Sequence, residues 1–230
     1  MTSQPLPGTE AARHGTGDAD LAIMLAAHRA FRRDLTTLAR VAASRSAGAS
    51  GTSRASGTDP ARRRSIAAGW ELFKRQLHLH HTAEDAVIWP ALRSRLANRE
   101  HALSVLGEME EEHARIDPLL AAVDAAFPGD QDGLGDVIGE LASTLTGHLT
   151  HEERDGLPLI GVALTAAEWR SVGFKIARRN GLSAGGEMFA WMLDGAARED
   201  TAATLGSLPP PVRVLYRTIW QPRYQRTPHW

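Results

Sequence analysis

Histidine and glutamate side chains interrupt the apolar stripes of this sequence, and this feature constrains the fold more than any other. Four long stretches carry apolar residues at steps of three and four, which is the pattern of an α-helix that buries one face. A polar side chain on a buried face is stable only if it is paired or bound to a metal ion. Six such residues stand at stripe positions: His28, His80, Glu84, His113, His148 and Glu152.

The second and fourth stretches share one spacing. In both, a histidine is followed by a glutamate four residues later and by a proline six residues after that: His80, Glu84 and Pro90, then His148, Glu152 and Pro158. Residues four apart lie on the same helix face. Each copy also follows a stretch with a single stripe histidine. The sequence therefore predicts two helical hairpins related by a pseudo-twofold axis, with six polar side chains converging at one place.

The pattern predicts an all-α protein built on an up-down four-helix bundle over residues 18–164. The helices of this bundle are predicted at residues 18–43, 61–97, 99–127 and 134–164. Pro90 and Pro158 should kink or interrupt the second and fourth helices, because proline has no N–H to donate. Residues 1–17 are predicted to be a flexible tail, and the Ser-, Gly-, Ala- and Thr-rich segment 44–60 a mobile loop.

Residues 165–230 form a C-terminal extension that differs from the bundle in composition. It holds four of the six tryptophans and carries nine basic against five acidic residues. Thr165 and Glu168 form the T-x-x-E pattern of a capping box, which predicts a fifth helix that ends near Asn180-Gly181. We expect additional helices packed on the bundle, with a surface for a protein partner. Nucleic-acid binding is not expected, since basic and aromatic side chains also pack ordinary helices onto a bundle.

The absence of cysteine from the 230 residues excludes disulfides, thiolate metal sites and iron–sulfur clusters. Any metal must therefore be bound by imidazole and carboxylate groups. The 26 basic and 27 acidic residues are nearly balanced, so the overall charge does not indicate a nucleic-acid-binding protein. No signal-peptide pattern and no apolar run of about 18 residues is visible, and a soluble cytoplasmic protein without membrane contact is the expectation.

The number and type of the six stripe residues favour two metal ions. Mixed imidazole and carboxylate ligands suit iron, manganese or zinc. Six ligands are more than a single tetrahedral zinc ion needs. A helix with histidine and glutamate four residues apart offers an imidazole to one ion and a carboxylate that bridges the pair or chelates one of them.

The sequence around these residues resembles the hemerythrin-like proteins, the HHE cation-binding family. The segment His80-His81-Thr82-Ala83-Glu84-Asp85-Ala86-Val87-Ile88-Trp89-Pro90 is similar to the second-helix signature of that family, and His148-Leu149-Thr150-His151-Glu152-Glu153 is similar to that of its fourth helix. The resemblance covers about residues 18–164. It implies a bundle with two iron ions (Fe²⁺/Fe³⁺), joined by an oxo or hydroxo bridge, that meet O2, peroxide or NO. The implied metal ligands are the six stripe residues.

The sequence departs from the oxygen carriers of this family in two places. Their third helix has two histidines four residues apart, whereas Asp117 stands four residues after His113. Their fourth helix has an acid five residues after its histidine, and here both Glu152 and Glu153 are available. Fewer imidazoles and more carboxylates favour ferric iron. The resulting hypothesis is a di-iron protein that binds or activates O2 or peroxide, with oxidase, peroxidase or storage roles ahead of reversible oxygen carriage.

Three ligand assignments remain open at this point. A site shifted by one residue would use His81 and Asp85 in place of His80 and Glu84, but the repeated spacing disfavours this shift. His81 and Asp85 are then expected beside the site or facing solvent. Asp117 fits equally well as a ligand, as a partner of His113 or as an ordinary polar residue before a proline. Glu153 is a third open assignment. No residue outside the metal set is given a catalytic role.

Two other functions also remain open. The long predicted loop and the basic, Trp-rich extension suit a sensor of iron, O2 or NO, or an iron-handling module, that signals to a protein partner through residues 165–230. A small-molecule oxygenase requires an apolar cavity that reaches the metals. A ferritin-like site is not favoured: Glu110-x-x-His113 fits its Glu-x-x-His motif, but the lone glutamates are missing from the first and fourth helices.

Overall fold

The computed structural model describes residues 20–50, 59–127 and 133–230, and of residues 45–50 it describes only the helical backbone. Within these ranges the chain is helical and contains no strand, so the predicted all-α class is confirmed. The predicted tail, residues 1–17, lies outside the described residues. None of the helices in the described part is long and apolar enough to cross a membrane.

Four long helical segments form the bundle. The first is α1 (Ala22–Ser50) and the third is α4 (Glu100–Ala126). The second consists of α2 (Pro60–Ala83), a five-residue π-helical turn π1 (Glu84–Ile88), and α3 (Trp89–Arg95). The fourth consists of α5 (Leu134–His151), a second π-helical turn π2 (Glu152–Gly156), and α6 (Leu157–Ala163). α5 packs against both α1 and α4, and α1 also packs on α2.

α1 is longer than the sequence predicted. It continues to Ser50, whereas the prediction placed a loop from residue 44. Alanine and arginine favour a helix, serine costs little, and Gly48 costs only about 1 kcal/mol in a helix interior. The composition that suggested a loop is therefore also compatible with two further helical turns. Residues 51–58 lie outside the described residues, so the mobility of this segment stays a prediction.

Both π turns of the bundle begin at the glutamate of the repeated motif. In π1 the N–H of Trp89 donates to the carbonyl oxygen of Glu84, five residues back, and in π2 Leu157 donates to Glu152 in the same way. A proline follows each of these donors. Its ring would clash with the carbonyl group four residues back in a regular helix, and the wider turn relieves this contact. The predicted interruption is confirmed, and it lies just before each proline.

Two apolar clusters fill the bundle, one on each side of the layer that contains the stripe histidines. Phe31, Leu77, Ile116 and Leu145 belong to one cluster, and Met24, Ile88, Met109 and Leu157 belong to the other. α1 runs from the cluster of Met24, past His28, to the cluster of Phe31. Each following segment runs between the two clusters in the direction opposite to that of the segment before it. The alternation is what an up-down topology requires, and it places all four stripe histidines at one level.

The C-terminal extension adds further helices to the bundle. They are α7 (Ala166–Met192), α8 (Arg198–Ser207), α9 (Pro210–Leu215), a third π-helical turn π3 (Tyr216–Trp220), and α10 (Gln221–Tyr224). The capping box of Thr165 and Glu168 starts α7, and Gly181, with φ at 78°, interrupts its helical geometry where the sequence predicted an end. The extension packs on the bundle as expected. It also enters the core, since Trp191 is fully buried against Phe31, with the ring centroids 4.8 Å apart.

Candidate metal centre

Two groups of four buried side chains meet in the layer between the two apolar clusters. One group contains His28, His80, Glu84 and Glu152, and the other contains His81, Glu84, His113 and His148. Within each group, one nitrogen or oxygen atom per residue lies within 4.8 Å of the corresponding atoms of the other members. All four bundle segments contribute, and the two glutamates are the first residues of π1 and π2.

Glu84 belongs to both groups, and its two carboxylate oxygens face different imidazoles. Oε1 lies 3.1 Å from Nε2 of His80, which is in the first group. Oε2 lies 3.5 Å from Nε2 of His113, which is in the second group. The carboxylate of Glu152 approaches the first group, with Oε2 3.1 Å from Nε2 of His28. A carboxylate has lone pairs on both oxygens, so Glu84 can join two cations, one in each group.

The atoms that point into this layer lack ordinary hydrogen-bond partners. The buried atoms without a hydrogen bond include Nε2 of His28, His80 and His81 and both carboxylate oxygens of Glu84 and Glu152. Nε2 of His113 and Nε2 of His148 face each other at 3.2 Å. Buried polar atoms in such number are stable only with a bound partner. The donor set fits metal cations, and its imidazole and carboxylate chemistry suits iron, manganese or zinc.

Burial and neighbouring charges shift the pKa values of these groups. Burial lowers the pKa of His80 and His81 well below the usual value, and the adjacent imidazoles lower it further. Burial, followed by the charge of Glu152, raises the pKa of the Glu84 carboxyl well above its usual value. Burial also acts to lower the pKa of His28, but the carboxylates of Glu152 and its neighbour Glu153 outweigh it and raise that pKa. The raised pKa values mean that a cation binding to Glu84 and His28 competes with protons at these two groups.

His28 is oriented by a carboxylate at the ring nitrogen that faces away from the layer. Its Nδ1 donates to Oε1 of Glu153 at 2.9 Å, and the guanidinium of Arg32 donates to both oxygens of the same carboxylate, at 2.6 and 3.1 Å. The hydrogen bond with His28, followed by that with Arg32, lowers the pKa of Glu153 to about 2. The ionised carboxylate accepts a hydrogen bond from Nδ1–H and so keeps the proton on Nδ1, which leaves Nε2 available to a metal.

Carboxylates orient two further imidazoles in the same way. Nδ1 of His113 donates to Oδ1 of Asp85 at 2.9 Å, and Nδ1 of His148 donates to Oε2 of Glu112 at 2.9 Å. Nδ1 of His151 donates to the other oxygen of Glu112, also at 2.9 Å. Metal-binding histidines in proteins usually have such a partner at the nitrogen that does not bind the metal.

The sequence matches the family model of the hemerythrin HHE cation-binding domain over residues 13–160, which is more than half of the chain. This chain belongs to the hemerythrin HHE cation-binding family. The comparisons with curated proteins and with solved structures gave no significant match. The matched range contains both His/Glu groups. Family membership and the two groups together indicate a metal-binding helical domain.

The HHE domain brings all six sequence-predicted residues into the two groups. Their role as metal ligands stays a prediction. In the sequence, the repeated spacing favours His80 with Glu84 as ligands and leaves His81 beside the site, about 100° around the helix from His80. A helix enclosed by a bundle buries a stripe at least that wide, so two consecutive residues both reach the interior. An adjacent pair of histidines at the centre of a buried face was the signal that could have identified His81.

The other open assignments find separate places in the HHE domain. Asp117 is exposed and belongs to neither group of the described structure. Asp85 and Glu153 also lie outside both groups and accept hydrogen bonds from His113 and His28.

A cavity of about 220 Å³ lies between α1 and the turn after α7. Its lining includes Arg29, Arg33, Leu193 and Asp200, and none of its lining residues belongs to the two His/Glu groups. This cavity therefore does not provide the apolar access to the metal layer that a small-molecule oxygenase requires.

Proposed function

We propose that this HHE domain binds a pair of iron ions between its four helical segments and uses them to bind or activate O2 or peroxide. One observation carries the proposal: two groups of buried imidazoles and carboxylates share Glu84, and each oxygen of Glu84 faces one group. A shared carboxylate suits two cations held close together. Imidazole and carboxylate ligands suit iron, which is also the metal typical of hemerythrin domains.

When bound, an iron pair supplies electrons to a small oxidant such as O2 or peroxide. The residues that would bind the pair are His28, His80, Glu84, His113, His148 and Glu152. Glu84 and Glu152 would bridge the ions or chelate one of them, while Glu153, Asp85 and Glu112 hold three imidazole rings in orientation. The apolar clusters on both sides of the layer exclude water, which limits side reactions at the metals.

Metal analysis combined with optical spectroscopy tests this proposal. The metal-free chain is titrated with Fe²⁺ under anaerobic conditions, and the bound iron is quantified before and after peroxide is added. We expect two iron ions per chain and, after oxidation, the near-ultraviolet charge-transfer absorption of a coupled ferric pair. The variant Glu84→Gln should lose this absorption, whereas Glu111→Gln, at an exposed position of α4, should retain it.

Two results would contradict the proposal. One is a wild-type chain that binds fewer than two iron ions, and the other is an iron-loaded chain without the absorption of a coupled pair. Repeated binding and release of O2 by the ferrous protein, without net oxidation, would indicate an oxygen carrier instead.

A second candidate function is a sensor that reports iron, O2 or NO through the C-terminal extension. The observation that favours it is a continuous series of ring contacts from the metal layer to the extension. The ring centroids of His80 and Phe31 are 5.2 Å apart, and those of Phe31 and Trp191 are 4.8 Å apart. A sensor requires that iron loading alter hydrogen exchange in α8–α10 as well as in the bundle. Unchanged exchange there would exclude this candidate. Deletion of residues 165–230 is unsuitable as a test, because it would remove part of the core.

A further inference from the structure

Two consecutive histidines on α2 point into different His/Glu groups. His80 belongs to the group with His28 and Glu152, and His81 belongs to the group with His113 and His148. Both rings are buried. The two adjacent histidines therefore place one imidazole in each group from the same helix. Glu84, one turn later, faces both groups.

We propose that His81 is a metal ligand, and that it supplies the third imidazole of the ion bound by His113 and His148. This inference rests on the di-iron function proposed above. With this assignment, the two ions have different numbers of imidazole ligands. The ion near α4 has three, from His81, His113 and His148, and the ion near α1 has two, from His28 and His80. Glu84 is then common to two ions that differ in their ligands.

The contacts of His81 support a ligand role over a packing role. Its Nε2 is buried and has no hydrogen-bond partner. Its ring stacks on that of His113, with the centroids 3.9 Å apart and the planes 11° apart, and meets the ring of His148 edge-on at 5.5 Å. A core histidine retained only for packing would have its nitrogens paired, because an unpaired buried nitrogen is costly.

His81 also accounts for the imidazole that α4 lacks. Asp117, four residues after His113, is exposed and belongs to neither group of the described residues. Because α2 contributes His81 to the same ion, the domain reaches five imidazoles and two carboxylates without a second histidine on α4. With five imidazoles, the ligand set no longer favours ferric iron through a shortage of imidazole, and oxygen carriage has to be tested directly.

The test compares His81→Ala with two matched controls. His78→Ala removes an exposed imidazole from the same helix, and Asp117→Ala removes the competing candidate on α4. Each chain is titrated with Fe²⁺ under anaerobic conditions and, separately, with Co²⁺, followed by metal analysis and paramagnetic NMR. Loss of an orienting partner alone weakens metal affinity by about 10–100-fold, so loss of a direct ligand should weaken one of the two ions by at least about 100-fold.

The NMR readout separates a ligand from a structural residue. In the Co²⁺-loaded wild type we expect five exchangeable, hyperfine-shifted imidazole N–H signals, and in His81→Ala four. Added free imidazole should restore the second ion in His81→Ala, since the truncated side chain leaves room for it. Both controls should keep two ions and five signals. If His81→Ala does not fold, His81→Gln is used, because it preserves a polar side chain at this position.

Distinct outcomes overturn the two proposals. If the wild type binds two ions and His81→Ala binds both with unchanged affinity, the role of His81 is refuted and the di-iron function stands. Loss of an ion in Asp117→Ala, with retention in His81→Ala, refutes it as well. A wild-type chain that binds fewer than two ions overturns the di-iron function, and the His81 assignment with it.

Discussion

At the scale of single residues, the ion pair of Arg32 and Glu153 controls the imidazole of His28. Replacing Glu153 with Gln removes the anionic acceptor of Nδ1 and leaves the Arg32 guanidinium without its anionic partner. We expect iron affinity to fall by about 10–100-fold, the usual effect of losing an orienting partner of a metal ligand. The exposed carboxylate of Glu111 is the matched control, since Glu111→Gln should leave affinity unchanged. Equal affinity in both variants would contradict the orienting role.

The same residue gives the metal-free protein a pH-dependent contribution to stability. The hydrogen bond with His28, followed by that with Arg32, lowers the pKa of Glu153 from 4.5 to about 2. A lowered pKa means that the unfolded chain binds the proton more tightly, so this stabilisation is complete above about pH 4.5 and is lost as the pH falls towards 2. In thermal melts, the difference between wild type and Glu153→Gln should therefore shrink below about pH 4.5. A difference that grows in acid would contradict this assignment.

Burial of the stripe histidines could be predicted from the sequence, because periodicity alone decides it at these positions. His28, His113 and His148 follow one stripe each, and all three reach the layer. His81 could not be placed by periodicity, because whether a second residue beside the stripe is buried depends on how closely neighbouring helices enclose α2. The roles of Asp85 and Glu112 depend on contacts with histidines on other helices, and sequence spacing does not contain that information.

At the scale of elements, each glutamate of the repeated motif is the first residue of a π turn. Gly156 ends π2 and packs against Glu152: a Cβ atom at Gly156 would lie 3.2 Å from Cγ of Glu152 and 3.6 Å from Sδ of Met109. Gly156→Ala should therefore displace the Glu152 side chain by a few tenths of an ångström and weaken iron binding by about 10-fold, as loss of support for a ligand does. Isothermal titration calorimetry of the metal-free protein with Fe²⁺ under anaerobic conditions measures this change in affinity.

Gly147 provides the matched control for this element. It lies in α5, and a Cβ atom there would meet nothing within 4 Å. Gly147→Ala should stabilise the helix by up to about 1 kcal/mol and leave iron affinity unchanged. If both variants bind iron like the wild type, the position of Glu152 does not depend on the packing at Gly156.

The helices themselves were predictable, because the apolar steps of three and four continue across each segment. The π turns were predictable only as interruptions at Pro90 and Pro158. A proline excludes regular α-helical hydrogen bonding, but it does not determine whether the chain kinks, ends or widens. The end of α1 at Ser50 was missed because serine, glycine and alanine occur in both loops and helices.

At the scale of the whole molecule, the extension and the bundle share one core. Trp191 is fully buried, packs against the ring of Phe31 and donates from Nε1 to Oδ2 of Asp34 on α1 at 2.8 Å. Arg33 on the same helix donates to the carbonyl oxygen of Trp191 at 3.0 Å. The sequence predicts that residues 165–230 lie on the outside of the bundle, because a tryptophan in a mixed polar segment carries no periodic signal of burial. A shared core implies that the two parts unfold together.

Substitution of Trp191 tests this cooperativity. Trp191→Phe keeps most of the packing but leaves the buried carboxylate of Asp34 without the indole donor, which should cost about 1–3 kcal/mol. Trp191→Ala should cost about 3–5 kcal/mol, because it also creates a cavity. Trp169→Phe is the control: its indole is partly exposed and donates to the carbonyl oxygen of Asp20, so its loss should cost about 1 kcal/mol or less.

Denaturant unfolding followed by far-ultraviolet circular dichroism and by tryptophan fluorescence measures these costs. Because bundle and extension share apolar contacts through Trp191, both signals should change in one transition, and each Trp191 variant should shift that transition as a whole. The unfolding curve could instead show two separate transitions, with Trp191→Phe shifting the denaturant midpoint of only one of them. That result would mean that the extension folds as an independent unit. In that case the contact from His80 through Phe31 to Trp191 could not transmit a change from the metal layer to the rest of the extension.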